Sequence, residues 1–453
     1  MTRRDAELQD AALKDLESIV ARRLVAERES DYGAVTASPN YYEGMTDFST
    51  LPGQQELMLQ RSMAAVVGLA NPFFRVHESR AGATSMIEGR RYANFSSYDY
   101  LGLNGHPEVQ QAAQQAIEYY GTSCSASRVV AGERPLHLKL EAALAAHYRQ
   151  DAAIVFVSGY ATNLATIGTL LGPKDLIVHD SLAHNSIVVG AALSGAERRS
   201  FPHNDLAALD ELLAASRAQY ARVLIVVEGL YSMDGDYPDL PALVALKKRH
   251  GAWLMVDEAH GLGVLGDKGA GIFEHFDVDP CDVDIWMGTL SKTLAGCGGY
   301  IAGSAMLVDY LKCMAGAFIY SVGLSPPIAA ASLKALEILH REPARVALLH
   351  RVSRFFWERA KARGLDVGTS EGYAIVPIIT KNSLVAVALS QKLFENGINV
   401  QPIIHPAVPE QCARLRFFLT AEHTDAQIEM TIDAICAAQA AIGDGSFLLA
   451  ATS

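Results

Sequence analysis

The sequence predicts an α/β protein built on a doubly wound, mostly parallel sheet. Three observations carry that expectation. Short apolar runs alternate with helical stretches from about residue 105 to 340, two of these runs end in a carboxylate and a lysine turn, and 50% of the 453 residues are hydrophobic. Parallel strands covered on both faces by crossover helices give this alternation. A chain of this length and apolarity buries a large core and is expected to form two domains rather than one.

The strand-like runs are Ala153-Ile154-Val155-Phe156-Val157, Leu176-Ile177-Val178, Val223-Leu224-Ile225-Val226-Val227, Trp253-Leu254-Met255-Val256 and Tyr300-Ile301-Ala302. Residues 1–70 read as an N-terminal helical extension, periodic around Leu13, Leu16, Ile19, Val20 and Leu24 and then turn-rich through Asp31-Tyr32-Gly33 and Ser38-Pro39-Asn40. An amphipathic helix and a docking segment are expected there. Residues 71–104 read as an N-terminal segment of the core and 105–340 as the large domain. Residues 341–453 read as a smaller C-terminal α/β domain, opening with a helix that carries Arg351, Arg354, Arg359 and Lys361. No fixed-period repeat or low-complexity linker interrupts this order.

A formal charge of -12 argues against a nucleic-acid footprint. Six cysteines, Cys124, Cys281, Cys297, Cys313, Cys412 and Cys436, are scattered without a C-x-x-C pair. Neither a zinc site nor a disulfide framework is expected, and a reduced, cytoplasmic setting is. The amino terminus lacks the apolar stretch of a signal peptide, and no run approaches membrane-spanning length.

The chemistry is concentrated in Asp257-Glu258-Ala259-His260 and in Thr289-Leu290-Ser291-Lys292. Each follows a buried strand, so both side chains are expected at one edge of the sheet, where α/β enzymes bind ligands. Pyridoxal phosphate needs this pair: a lysine amine to bond its aldehyde, and a carboxylate to keep its pyridine nitrogen protonated as an electron sink. An Asp-Glu-Ala-His run also occurs in nucleotide-driven helicases, but no G-x-x-x-x-G-K-[ST] loop accompanies it here. Nor is Thr289-Leu290-Ser291-Lys292 the Ser-x-x-Lys of penicillin-recognising enzymes, since its first residue is threonine. Ser158-Gly159-Tyr160-Ala161-Thr162-Asn163 follows a strand and opens a helical run, so Gly159 and Tyr160 can offer amides to a phosphate.

Six stretches in consistent order make a specific resemblance. They are Asn94-Phe95-Ser96-Ser97-Tyr98-Asp99-Tyr100-Leu101-Gly102-Leu103, Gly121-Thr122-Ser123-Cys124-Ser125-Ala126-Ser127-Arg128, Glu228-Gly229-Leu230-Tyr231-Ser232-Met233-Asp234-Gly235-Asp236, the Asp257 and Lys292 motifs, and Leu415-Arg416-Phe417-Phe418-Leu419-Thr420-Ala421-Glu422-His423. From about residue 70 to 440 the chain resembles the α-oxoamine synthase family, fold-type I pyridoxal phosphate enzymes that include 8-amino-7-oxononanoate synthase, 5-aminolevulinate synthase and serine palmitoyltransferase. The resemblance implies a seven-stranded, mostly parallel sheet in the large domain and a homodimer with a shared active site. It also implies condensation of glycine, alanine or serine with an acyl thioester, with loss of carbon dioxide. An aminotransferase or retro-aldol lyase of the same fold is the alternative.

Residue by residue, the resemblance makes Lys292 the lysine that bonds the cofactor and Asp257 the partner of its ring nitrogen. His184 is expected to stack on the ring, while Ser232 and His260 reach its phenolic oxygen or lie beside the substrate. Gly159, Tyr160, Thr289 and Ser291 are expected to hold the phosphate, with Ser321 contributing across the dimer interface. Arg416 is expected to take the substrate carboxylate, and Tyr98 and Ser127 to border the substrate. Arg414 is expected on the opposite face of its strand, solvent-facing or structural, and His203, His250 and His275 are given no role. Tyr98 stands where many members have asparagine, and the Ser-Ala-Ser-Arg and Gly132-Glu133-Arg134-Pro135-Leu136-His137 runs resemble members of polyketide-type pathways that take the acyl group from an acyl carrier protein. Coenzyme A and a carrier protein therefore both remain as carriers, with Arg75, Arg80, Arg90 and Arg91 as a candidate docking patch.

Overall fold

The computed structural model describes residues 46–66 and 68–443. The expected helix around Leu13 to Leu24 and the turns at 31–42 lie outside the described residues. Thirteen strands are numbered in chain order: β1 Thr84–Ile87, β2 Arg90–Asn94, β3 Ala152–Phe156, β4 Leu176–Asp180, β5 Glu197–Phe201, β6 Val223–Glu228, β7 Trp253–Asp257, β8 Ile285–Thr289 and β9 Gly299–Gly303. The last region adds β10 Ile375–Ile379, β11 Ile398–Asn399, β12 Gln401–Ile403 and β13 Arg414–Phe418.

Seven strands form the central sheet in the order β3-β9-β8-β7-β6-β4-β5. All are parallel except β9, which runs antiparallel to both β3 and β8. Each apolar run read as a strand is one. The edge strand β5 had no such signal, because Glu-Arg-Arg-Ser-Phe is charged, as exposed sheet edges commonly are.

Period-two geometry sorts the inner strands into two layers. Ile154, Ile177, Leu224, Val226, Met255, Met287 and Ile301 pack on one face, and Val155, Val178, Ile225, Val227, Leu254, Val256 and Trp286 on the other. Helices cover both. Gly159–Leu170, Asn185–Ser194, Leu206–Ser216 and Leu240–His250 follow β3, β4, β5 and β6, and each starts where a polar side chain can cap it. Ser158, His184, Asp205 and Asp239 accept from first-turn amides, a contribution of about 1 kcal/mol per cap for the hydroxyl and carboxylate cases.

Two three-stranded sheets lie outside this one, β1-β2-β11 and β10-β13-β12. The first joins the segment after residue 71 to the C-terminal region, since β11 pairs with β2. The tie continues along the chain: Phe418 N–H donates to Phe95 O, Ala421 N–H donates to Tyr100 O, and His423 stacks on Phe95 at 4.3 Å. Residues 94–100 are thereby fixed against β13, which brings Tyr98 and Arg416 to the same end of the central sheet as Asp257 and Lys292.

Candidate active site

The carboxyl ends of β3, β4, β6, β7 and β8 open onto a cavity of about 220 Å3. Its wall includes Gly159, Tyr160, Asn163, His184, Glu228, Ser232, Asp257, His260, Thr289, Ser291 and Lys292. Ten of the thirteen expected site residues thus meet at this wall or the next, and nine of them line this cavity. A second cavity of about 300 Å3 is lined by Ser96, Ser97, Tyr98, Asp99, Asn104 and Gly296, and Ser291 and Lys292 face both spaces. The lysine therefore stands at their junction, its Nζ 5.6 Å from the centre of the Tyr98 ring.

Burial lowers the Lys292 amine to about 8 from its ordinary 10.5, with Asp257 and Glu228 pulling it back up and Arg416 pushing it further down. Asp257 ends β7, where Asn163 Nδ2 and Ala259 N–H donate to its two oxygens, each at 2.9 Å. Glu258, next in sequence, does not line the cavity. Ile272 N–H donates to it at 2.7 Å, and Gly229, Gly261 and Gly271 crowd around its carboxyl, so it is a buried structural group. Burial raises that carboxyl to about 8.

His184 begins the helix Asn185–Ser194 and forms a hydrogen bond between its Nδ1 and Ser186 Oγ at 2.7 Å. Burial lowers its pKa, against the pull of Asp257. His260 pairs its Nδ1 with the Tyr100 hydroxyl at 2.6 Å and lies edge-on to Tyr98. Burial, then the charges of Lys292 and Arg416, hold it well below the usual histidine range. Both imidazoles are therefore neutral near pH 7. Tyr160 is partly exposed and donates to Asn185 Oδ1 at 2.8 Å.

The residues present fit pyridoxal phosphate. The first amides of the helix Gly159–Leu170 have no acceptor within the helix and face the cavity mouth, a ready anion site. The helix end comes so close to β8 that a Cβ at Gly159 would meet Thr289 Oγ1 at 2.8 Å, and one at Gly299 would meet Gly159 Cα at 2.7 Å. Glycine is thus what lets the amides and the Thr289 and Ser291 hydroxyls share one space. Two buried oxygens on the wall, Asn163 Oδ1 and Glu228 Oε1, have no hydrogen-bond partner among the described residues.

Three expected residues are placed elsewhere. Arg416 lines neither cavity; its guanidinium donates to Ser232 O at 2.9 Å and lies over the Phe418 ring, leaving Nε unpartnered and buried. Burial lowers its pKa as well. Ser127 and Ser321 lie outside both walls. Their segments meet one another instead, through Gly323 N–H donating to Ala126 O at 3.0 Å.

Arg414 corrects the expectation of opposite faces: residues two apart on a strand share a face. Both guanidiniums reach the 232–234 turn, Arg414 pairing with Asp234 at 2.5 Å while buried, which makes it structural. His203, expected at the surface or in a structural place, is structural, held between Asp180 and Asp236 at 2.9 and 3.0 Å. Asn163, Tyr100 and Glu228 were missed as site residues, although all three lie inside motifs already singled out. Glu228 had a readable signal, since it ends its strand just as Asp257 does.

The chain is similar to known proteins along most of its length. Residues 90–435 match the family model described as aminotransferase class I and II. The 8-amino-7-oxononanoate synthase of Geobacter sulfurreducens is 44% identical over 78% of this chain and 90% of its own. The chain belongs to the α-oxoamine synthase family. Among solved structures of that family, Sphingomonas wittichii serine palmitoyltransferase matches with a TM-score of 0.83, 34% identity, and cover of 87% of this chain and 99% of its own. An 8-amino-7-oxononanoate synthase from Francisella tularensis matches with a TM-score of 0.67 and 29% identity over 76% of this chain and 97% of its own. The α-oxoamine synthases use pyridoxal phosphate, so this chain is a pyridoxal phosphate enzyme of fold type I.

Proposed function

We propose that this protein joins a small amino acid to an acyl thioester with loss of carbon dioxide, releasing a free thiol and an α-amino ketone. The observation that carries this reading is the place of Lys292 at the junction of two cavities. One has the donor set for the cofactor. The other gives an acyl thioester a separate way to the α-carbon of an amino acid held beside that amine, and a condensation needs both substrates present at once where a simple transamination does not.

Bound, pyridoxal phosphate supplies the electron sink for chemistry at the α-carbon of an amino acid. The chain does the rest. Lys292 anchors the cofactor and, once free, is half neutral near pH 8, suited to take and return the α-proton. Asp257, oriented by Asn163 and Ala259, holds a proton at the ring nitrogen. Gly159, Tyr160, Thr289 and Ser291 bind the phosphate, and His184 covers the ring. Ser232 and His260 hold the phenolic oxygen, with Tyr100 fixing the His260 tautomer. Arg416 takes the substrate carboxylate, a role supported by its buried, unpartnered Nε. Tyr98, between Lys292 and His260, shields the amine from water and borders the incoming acyl group.

We read the working form as a homodimer, with Ser321 and the Ser127 segment at the interface. An apolar patch supports this: Val129, Val130, Tyr320 and Val322 are exposed beside those residues, and soluble surfaces rarely expose so many neighbouring apolar groups without a partner. A carrier-protein docking patch finds less support. Arg75 donates to Asn399 and lies over Phe394, Arg80 pairs with Glu422, Arg90 donates to Glu395 O, and Arg91 to Thr84. The thioester on coenzyme A is therefore the simpler reading.

The test is carbon dioxide release from glycine, alanine or serine, measured with and without acyl thioesters on coenzyme A and on a carrier protein. Release that requires a thioester, with stoichiometric free thiol, is the expected outcome. Conversion of the amino acid to a keto acid or aldehyde without any thioester would move the chain to the aminotransferase or lyase alternative.

A further inference from the structure

One carboxyl group in the cavity has no task in the reading above. Glu228 is the last residue of β6 and lies in register with Asp257, the last residue of β7. Residues in register on adjacent parallel strands face the same side, so the two carboxyl groups emerge as neighbours. Their surroundings differ. Asp257 receives hydrogen bonds on both oxygens, whereas Glu228 receives one, from Ser232 N–H onto Oε2 at 3.1 Å. Its Oε1 is buried and has no partner among the described residues, in a residue that is 3% exposed and lines the cavity. A buried oxygen left unpaired keeps its desolvation cost uncompensated, so a bound group is the natural source of its partner.

We propose that Glu228 is a further cofactor-binding residue, present as a carboxylic acid whose Oε1 hydroxyl donates a hydrogen bond to an oxygen of bound pyridoxal phosphate, so that Asp257 is the one carboxylate at the ring. This rests on the cofactor reading given above. Burial and then Asp257 raise the Glu228 carboxyl to about 8, with Asp180 on β4 acting in the same direction and Lys292, from the turn after β8, opposing. Arg416 on β13 and Tyr231 in the following turn are the other titratable groups that face it. Above that pH a second negative charge would stand beside Asp257 and the donor would be lost. The cofactor should then be held less well.

The test uses Lys292→Ala protein, in which the covalent link and the lysine's own titration are both absent. Because removing Lys292 also removes the charge that opposes the rise of the Glu228 carboxyl, the protein's dissociation constant for pyridoxal phosphate is measured by equilibrium dialysis from about pH 7 to about pH 10, with Glu228 intact and with Glu228→Gln. Glutamine has the shape of the protonated acid, keeps a donor and cannot ionise. With Glu228 intact, affinity falls about tenfold more over this range than in the glutamine variant, and at about pH 7 the two agree within about threefold. The cofactor's own ionisations are common to both and cancel. The same pH course in both proteins overturns the proposal. So does a folded glutamine variant that binds more than about tenfold worse at pH 7, or one that does not fold, since either means the carboxylate form is required. Wild-type protein is titrated alongside; if it binds no pyridoxal phosphate, the cofactor reading fails together with this proposal.

Discussion

Burial makes the Lys292 amine useful. Its ordinary pKa of 10.5 would leave it almost fully protonated in neutral solution, and lowering to about 8 gives a usable neutral fraction. The neutral form is the nucleophile, so its share rises with pH and passes one half near pH 8. Cofactor capture by the cofactor-free protein should accelerate through pH 8 and then level off, with a visible absorbance that Lys292→Ala abolishes. Stopped-flow absorbance across the pH range checks this, and a midpoint near 10 would show that the amine is not desolvated. Arg416 makes a second prediction at this scale. Arg416→Ala should weaken amino-acid binding by about 2 to 3 kcal/mol, the scale of a charge-assisted hydrogen bond. Unchanged affinity in a spectral titration would assign the carboxylate to another group, and Tyr98 is the nearest.

The helix Gly159–Leu170 is placed against β8 by a backbone approach with no room for a methyl group, the added Cβ falling 2.8 Å from Thr289 Oγ1. Gly159→Ala should therefore push the helix end from the hydroxyl loop and weaken cofactor binding about tenfold, equivalent to about 1.4 kcal/mol. Alanine favours helices, so the melting temperature should change little. A fully retained affinity would show that the phosphate does not use this helix end. Behind the site, β4 and the 231–236 turn are joined through His203, which Asp180 and Asp236 flank. Burial disfavours its cation, but the two carboxylates outweigh burial and raise it to about 10 from 6.5. A raised pKa gives stability that is fully present below 6.5 and lost as pH rises through about 10. His203→Ala should cost about 3 kcal/mol near pH 6, as for a broken buried pair, and much less above pH 10. Urea unfolding at both values decides it, since an equal loss at each would rule out the charged pair.

At the scale of the molecule, the proposed homodimer would seat its second copy on the exposed apolar residues beside Ser127 and Ser321. Val129 and Val130 come from the segment after Ser127, and Tyr320, 89% exposed, from the loop that carries Ser321. Introducing charge there, as Tyr320→Glu with Val130→Glu, should shift the protein from dimer to monomer in analytical ultracentrifugation. It should also lower cofactor occupancy if Ser321 reaches the partner's site. A dimer that persists with full occupancy would place the interface on another face. No helix among the described residues is long and apolar enough to cross a membrane.

The sequence by itself determined the inner strands of the central sheet and the place of Asp257 and Lys292 at their ends. Apolar runs such as Leu224 to Val227 suit strands buried on both faces, as in a mostly parallel sheet, and Asp257 ends one such run while Lys292 lies in the turn after another. Position along a strand is local information, which periodicity and neighbours encode. The charged edge strand β5 was illegible because its pairing with β4, not its composition, makes it a strand. The same holds for Arg414, whose burial follows from meeting Asp234, distant in sequence, and for His203, whose two carboxylates come from different elements. Only tertiary structure could set Lys292 between two cavities or leave Glu228 Oε1 without a partner, because both depend on how strands and loops far apart in the chain close around one space.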